Sequence, residues 1–339
     1  MSEGQDGGVA LVGGGSMGVG WAIVFARAGL TVRVHDASAA VRRAVLPAVA
    51  ERLAALAAHG LLAEVPREVM ARVSVADSLA AALDGAVHVQ ENVPERLDLK
   101  TSLFRAMDEL ARPDAVLASS TSSLPASEFA GDLPGRARCL VAHPANPPHL
   151  LPIVEIVPAP FTDPEVAERT RALMARVGQA PVVLKREVNG FIYNRLQGAV
   201  LREAYWMLKE GIADVADIDR VMTSGLGLRW SIVGPFETAD LNYRGGLEEH
   251  ARRMGERYRQ MGAEHGQPDE WDDALVARAA AERRALLPLE EWDARVAWRD
   301  ARLMAASAAA AGHAGPAPYN APAQEGAPDS ARRGTGEGA

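Results

Sequence analysis

The chain carries a single cysteine, Cys139, in 339 residues. No intrachain disulfide can form, which suits a reducing compartment. Cys139 lies in the strand-like run RCLVA and reads as a small buried apolar residue, not a nucleophile. Positive charge is also short: 36 Lys and Arg face 44 Asp and Glu, a formal net charge of −8. No basic run overrides that balance, so there is no electrostatic footprint for nucleic acid or an anionic membrane. No apolar run approaches the roughly eighteen residues of a membrane span. The opening MSEGQDGG has none of the features of a signal peptide. Metal-ligand spacings are missing too. The acidic cluster Asp269, Glu270, Asp272 and Asp273 has only His265 near it and reads as solvated surface. These absences point to a cytoplasmic protein that acts on a small molecule.

What is present is enough apolar residue, 48% of the chain, to fill two domain cores. GVALVGGGSMG reads as strand, glycine turn and helix start, and LTVRVHD as a second strand ending at Asp36. Ser38 suits the cap of a helix whose apolar residues Val41, Val45, Val49, Leu53 and Leu56 recur every three or four positions. Pro47 within it predicts a kink or a break. RVSVAD, AVHVQEN, AVLASS, RCLVAH, IVEIV and PVVLK are further strand candidates. Helical segments fall around 97–111 and 163–177, the latter opened by Asp163-Pro164 and stopped by Gly178. This alternation argues for an α/β domain with a parallel, doubly wound sheet of the Rossmann type. Beyond Asn189 helical periodicity takes over, beginning with Leu196, Val200, Leu201, Ala204 and Leu208. The expected organisation is a dinucleotide-binding domain over 8–188 and an all-helical substrate and dimerisation domain over 189–307. A tail over 308–339, rich in alanine, glycine and proline, is expected to be disordered.

The first glycine turn contains Gly13-x-Gly15-x-x-Gly18 after a strand and at a helix start, with Ser16 and Met17 inside it. Such glycines permit the tight turn, the approach of backbone to a pyrophosphate, and helix-on-strand packing. The helix N-terminus then offers free N–H groups to the phosphates. Asp36 ends the second strand, where a carboxylate binds both adenosine ribose hydroxyls and repels a 2′-phosphate, which favours NAD over NADP. Arg42 and Arg43 keep the phosphorylated cofactor from being excluded outright.

A nicotinamide cofactor needs a partner that handles a proton. The polar run from Ser119 to Ser123 follows a strand at the carboxyl edge of the sheet, where ligands of open α/β folds bind. His143 ends the next strand, Glu155 lies in the one after, and Asn194 lies early in the first helix of the second domain. An imidazole can take a hydroxyl proton while a carboxylate on its other nitrogen fixes the tautomer. Ser122 and Asn194 can hydrogen-bond the substrate oxygen. Taken singly, each residue is equally at home in a turn or a core. The stretch AHPANPPHLLPIVE stiffens the backbone between His143 and Glu155 with prolines at 144, 147, 148 and 152.

GGGSMGVG, ENVPERLDLK, SSTSSL, AHPANPP, IVEIV and VNGFIYNRL, in that order, resemble the signature blocks of the 3-hydroxyacyl-CoA dehydrogenase family, over about residues 8 to 305. The resemblance implies that Ser122, His143, Glu155 and Asn194 are catalytic. It also implies that Glu95, Lys100, Ser120 and Asn146 line the nicotinamide half of an NAD site. Within the family the likeness is to the lambda-crystallin branch, whose enzymatic member is L-gulonate 3-dehydrogenase. The acyl-CoA enzymes carry two aromatics after the histidine and asparagine at position 120, and this chain carries neither. Carnitine dehydrogenases share HP-x-NP and GLRW but diverge around Asn194 and after Gly234. Arg229 would hold a free carboxylate through a two-pronged pair, a role a thioester does not offer; a surface salt bridge at a helix end is its other reading. Trp21, Trp206 and Trp230 read as core or interface residues. The implied reaction is NAD-dependent oxidation of the 3-hydroxyl of a free 3-hydroxy acid, L-gulonate or a relative, by a homodimer. A short-chain 3-hydroxyacyl-CoA dehydrogenase is the alternative. A non-catalytic NAD-binding protein is a third, because the branch includes a lens protein with a structural role.

Overall fold

Short runs rich in Val, Leu, Ile and Ala supply strands that are buried on both faces, and amphipathic segments between them supply the covering helices. The computed structural model describes residues 7–58 and 61–264, with 273, 277, 281, 284–285, 287–295 and 298 beyond them. The 308–339 segment, His265 and most of the acidic cluster lie outside the described residues. The chain divides into two compact units between Arg202 and Glu203.

In the first unit the order is β1 (Val9–Val12), α1 (Ser16–Arg27), β2 (Val32–His35), α2 (Ala39–Ala58), α3 (Pro66–Met70), β3 (Val73–Val75), α4 (Leu79–Leu83), β4 (His88–Glu91), α5 (Leu97–Leu110), β5 (Val116–Ser119), α6 (Ala126–Ala130), β6 (Cys139–Pro144), β7 (Ile153–Pro158), α7 (Pro164–Arg176) and β8 (Ala180–Val183). The sheet runs β3-β2-β1-β4-β5-β6-β7-β8. Alternate residues of one strand feed opposite cores. Val9 and Leu11 join a cluster with Trp21, Phe25, Val49 and Met174. Ala10 and Val12 join one with Phe104, Met107 and Phe129. The sheet is thus wound on both faces, with α1, α2, α3 and α7 on one and α4, α5 and α6 on the other.

Two expectations change. The sheet is not wholly parallel, since β7 pairs antiparallel with β6. Only residues 145–152 join these strands, and a parallel connection needs a crossover of about a dozen residues or more. Pro47 causes no break, because α2 runs continuously through it. Other local signals agree with the structure. Ser38 Oγ accepts from Val41 N at 3.4 Å. Asp163 caps α7 by accepting from Glu165 N at 2.8 Å. Cys139 is fully buried, and burial pushes its thiol up to about 12.

α8 (Tyr193–Lys209) begins in the first unit. The second unit adds α9 (Val215–Val221), α10 (Gly227–Trp230), α11 (Pro235–Leu241) and α12 (Gly246–Glu264). A π-type turn over Met222–Leu226 links α9 to α10. Among the described residues no strand follows Val183, and no helix is long and apolar enough to cross a membrane.

Candidate active site

The glycine turn is built as its residue types require. Gly13 has φ +103°, and a Cβ there would stand 2.7 Å from Asn92 O. A Cβ on Gly18 would stand 2.0 Å from Gly13 O, so only glycine lets α1 pack this closely on β1. α1 starts after Gly15 with no side-chain cap and no acid in its first turn. The first N–H groups, on Ser16 and Met17, are therefore open to an anion, which is the fit a dinucleotide pyrophosphate requires. Asp36 follows β2, and its carboxylate accepts from Gly14 N at 2.9 Å and Ser38 N at 2.8 Å. Arg42 donates to the Asp36 carbonyl at 2.6 Å, so the acid is held beside the glycine turn.

At the far side of the same sheet edge, the β6–β7 register makes His143 and Glu155 direct cross-strand partners. Opposite residues of an antiparallel pair point to the same face, and the His143 Nδ1···Glu155 Oε2 separation is 2.8 Å. Both are almost fully buried, at 5% and 3% exposed. The other carboxylate oxygen, Oε1, accepts from Ile192 N at 2.7 Å and Tyr193 N at 2.9 Å, the entry to α8. Burial alone would push the Glu155 carboxyl up. The hydrogen bonds from His143, Tyr193 and Ile192 outweigh it and hold the group below the ordinary carboxylate range. An ionised carboxylate only accepts, so His143 Nδ1 carries the proton of the neutral ring and Nε2 keeps its lone pair.

The chain reaches Glu155 through two left-handed residues, Gly190 at φ +75° and Phe191 at φ +50°. Phe191 is fully buried, with its ring 5.4 Å from the His143 ring. A bulky residue with positive φ is strained and persists only where its surroundings enforce it; here the bend aims two N–H groups at Glu155. Asn194, at the start of α8, donates from Nδ2 to Ser122 O at 3.0 Å. The structure therefore joins His143 to Glu155, Glu155 to the start of α8, and Asn194 to the exposed Ser122.

The turn that carries Ser122 is held by Glu95. Its Oε1 accepts from Ser122 N at 2.9 Å, Ser123 N at 3.0 Å and the Thr121 hydroxyl. Burial would raise this carboxyl, but the Thr121 hydrogen bond and the Lys100 charge bring it below its ordinary value. Lys100 is buried. Its Nζ donates to both oxygens of Glu91, at 3.0 and 2.9 Å, and lies 3.5 Å from Glu95. Glu91 is fully buried, which pushes its carboxyl up despite Lys100. Sequence reasoning passed over Glu91 and Phe191. The available signal for Glu91 was an acid at a strand end, nine residues before Lys100.

Asn146 is exposed on the 145–152 connection, and Ser120 is half-buried. Arg229 belongs to the second unit, on α10. Its Nε is buried with no acceptor among the described residues, as is Nε1 of the adjacent Trp230. Among the described residues no group of three His, Cys, Asp or Glu could hold a metal ion.

Comparison with known proteins fixes what this arrangement belongs to. Residues 8–188 match the NAD binding domain of 3-hydroxyacyl-CoA dehydrogenase, and residues 190–286 match its C-terminal domain. The chain belongs to the 3-hydroxyacyl-CoA dehydrogenase family. It is 41% identical to the lambda-crystallin homolog of Bos taurus over 302 residues, 88% of this chain and 94% of that one. A 3-hydroxyacyl-CoA dehydrogenase of Gibberella moniliformis is 39% identical over 247 residues, 73% of this chain and 76% of that one. Among solved structures, a 5-formyl-3-hydroxy-2-methylpyridine 4-carboxylic acid 5-dehydrogenase, an NAD+-dependent dismutase, superposes with TM-score 0.69 at 28% identity, covering 88% of this chain and 97% of that one. The family and the solved neighbours are NAD-dependent dehydrogenases. NAD is the cofactor of this chain, and the Gly13–Gly18 turn and Asp36 lie within the matched NAD binding domain.

Proposed function

We propose that the chain oxidises the 3-hydroxyl of a free 3-hydroxy acid, L-gulonate or a close relative, to the 3-oxo acid. The cross-strand pair of His143 and Glu155 carries this reading. His143 Nε2 takes the hydroxyl proton, and Glu155 holds the ring in the tautomer that leaves Nε2 free and stabilises the imidazolium that forms. Ser122 and Asn194 donate to the substrate oxygen as the carbon becomes a carbonyl. NAD, when bound, supplies the hydride acceptor. Glu95, Lys100 and Asn146 border the nicotinamide half of its site, and Ser120 shapes the strand end behind it.

The free-acid preference is supported by Arg229, whose Nε has no acceptor among the described residues. A guanidinium with an unused donor suits a carboxylate, and a thioester has none to offer. One solved relative is named as the dehydrogenase of a pyridine carboxylic acid, a compound with a free carboxyl group. The thioester reading has its own support in the 39% identity to the fungal 3-hydroxyacyl-CoA dehydrogenase. L-gulonate and 3-hydroxybutyryl-CoA, each assayed by NADH formation, separate the two. The free acid should show the higher kcat/KM, and Arg229→Ala should lower it for the free acid alone. A thioester preference unaffected by Arg229→Ala overturns the free-acid assignment. His143→Ala should abolish turnover with NADH still bound; an unaltered protein that binds NADH but turns over neither substrate would favour a crystallin-like structural role.

We also propose that the enzyme is a cytoplasmic homodimer whose helical domain begins near 189. Support comes from α8, in which none of the seventeen residues is buried. Leu196, Leu201 and Leu208 are 58, 46 and 40% exposed along it. An apolar stripe of this extent normally meets a partner surface.

A further inference from the structure

The two faces of the sheet edge carry two separate polar networks, and only one belongs to the site described above. On the α5 face, Glu91, Lys100, Ser119 and Glu95 hold the serine turn. On the α1 face lies a second set that contains Gln90, a fully buried side chain in β4. Gln90 Nε2 donates to Ser120 Oγ at 2.7 Å and to the Ala142 carbonyl at 3.0 Å. Its Oε1 lies 3.0 Å from Nε2 of the buried His88. Both donors of the amide and its oxygen are thus engaged, and the Ala142 carbonyl, which only accepts, fixes which end is which.

Ser120 completes the set. Its Oγ accepts from Trp21 Nε1 at 3.0 Å and from Gln90, and donates to Asn92 Oδ1 at 2.8 Å. Asn92 Nδ2 returns to the Gln90 carbonyl at 2.9 Å. A hydroxyl has one proton to donate and two lone pairs, and all three are used inside the protein. The parallel ladder between β5 and β6 ends at Ser119 and Val141. One residue further, where β5 turns away, the Gln90 amide grips Ala142 instead. The next residue on β6 is His143.

We infer that Gln90 is a positioning residue for the reaction, which with Ser120 and Trp21 fixes the backbone of β6 at Ala142 and so seats the His143 imidazole, and that Ser120 is part of this support and not a ligand of the cofactor. The inference rests on His143 being the base. His143 and Ala142 point to opposite faces of the sheet, so Gln90 never touches the imidazole. It acts by denying β6 the shift that would move Nε2 away from the substrate hydroxyl, and a misplacement of about 1 Å costs on the order of 100-fold in rate.

The test compares Gln90→Met, Ser120→Ala and His143→Ala for thermal unfolding, NADH affinity by fluorescence, and kcat and KM for L-gulonate, with 3-hydroxybutyryl-CoA in parallel. Gln90→Met should keep NADH affinity and substrate KM within about threefold while kcat falls about 10- to 100-fold. Ser120→Ala should leave NADH affinity unchanged, because its hydroxyl has no hydrogen bond left to give. A folded Gln90→Met with wild-type kcat overturns the inference, as does a loss of kcat that tracks a loss of NADH binding. So does a more than about fivefold loss of NADH affinity in Ser120→Ala. Turnover surviving in His143→Ala would instead overturn the base assignment. If Gln90→Met does not fold, Ser120→Ala carries the test, with a smaller fall in kcat expected and unchanged kcat refuting the support role.

Discussion

Replacing Glu155 with glutamine removes one charge and almost no volume, and the geometry says which contact gives way. The carboxylate accepts from three donors: His143 Nδ1 at 2.8 Å, Ile192 N at 2.7 Å and Tyr193 N at 2.9 Å. An amide has only one oxygen. Turned to His143, it leaves NH2 against two backbone donors, each costing roughly 1–3 kcal/mol when unsatisfied. The oxygen therefore stays with Ile192 and Tyr193, and the NH2 faces His143 Nδ1. That nitrogen must now accept, so the ring proton moves to Nε2, the atom that has to receive the substrate proton. Restoring the productive tautomer needs the amide flip, roughly 2–6 kcal/mol for the two donors together, which corresponds to about a 30- to 10⁴-fold loss of kcat. General-base catalysis contributes a similar range. NADH formation under saturating substrate measures kcat, and NADH fluorescence should show binding unchanged. A folded Glu155→Gln enzyme with kcat within about threefold of wild type would refute the reasoning.

Two further outcomes follow from burial. His88 is fully buried, and its pKa is lowered from 6.5 to about 4, by desolvation first. Its folded-state pKa lies below its unfolded one, so the unfolded chain binds more protons in between, and stability present above pH 6.5 is lost as pH falls towards 4. The loss is roughly 3 kcal/mol; urea unfolding at several pH values should show this slope, and His88→Asn should flatten it. An unchanged slope in that variant would place the acid sensitivity elsewhere. For the proposed homodimer, Leu201→Asp with Leu208→Asp puts two charges on one exposed face of α8, and sedimentation should then report monomers; an unaltered dimer would move the interface off this helix.

Both the α/β pattern and the dinucleotide turn are legible in the order of the residues alone. A sheet covered on both faces produces uninterrupted apolar strands such as VALV and VLAS. The Gly13-x-Gly15-x-x-Gly18 spacing is legible because Gly18 meets Gly13 O within the same turn, although the space at Gly13 is also limited by the distant Asn92. The candidate residues Ser122, His143, Glu155 and Asn194 are legible as residue types, chiefly through the resemblance of their surrounding blocks. The direction of β7 is not, because strand alternation says nothing about pairing until connection lengths are weighed. Glu91, Gln90 and Phe191 escape sequence reasoning for a related reason. Each acts on a group distant in sequence: Gln90 on Ser120 and Ala142, Glu91 on Lys100 and Ser119, and Phe191 on His143.

By itself the sequence determined the local and near-local physics: which segments form strands and helices, where a pyrophosphate can approach, and which side chains can move a proton. Tertiary structure alone decided that His143 and Glu155 stand opposite each other in one antiparallel register. It also decided that the second oxygen of Glu155 receives the start of α8, and that buried amides and hydroxyls lock the ends of β4, β5 and β6. The physical reason is that buried polar groups must all find partners. The chain supplies many chemically equivalent donors and acceptors, and only the packed sheet selects which of them meet.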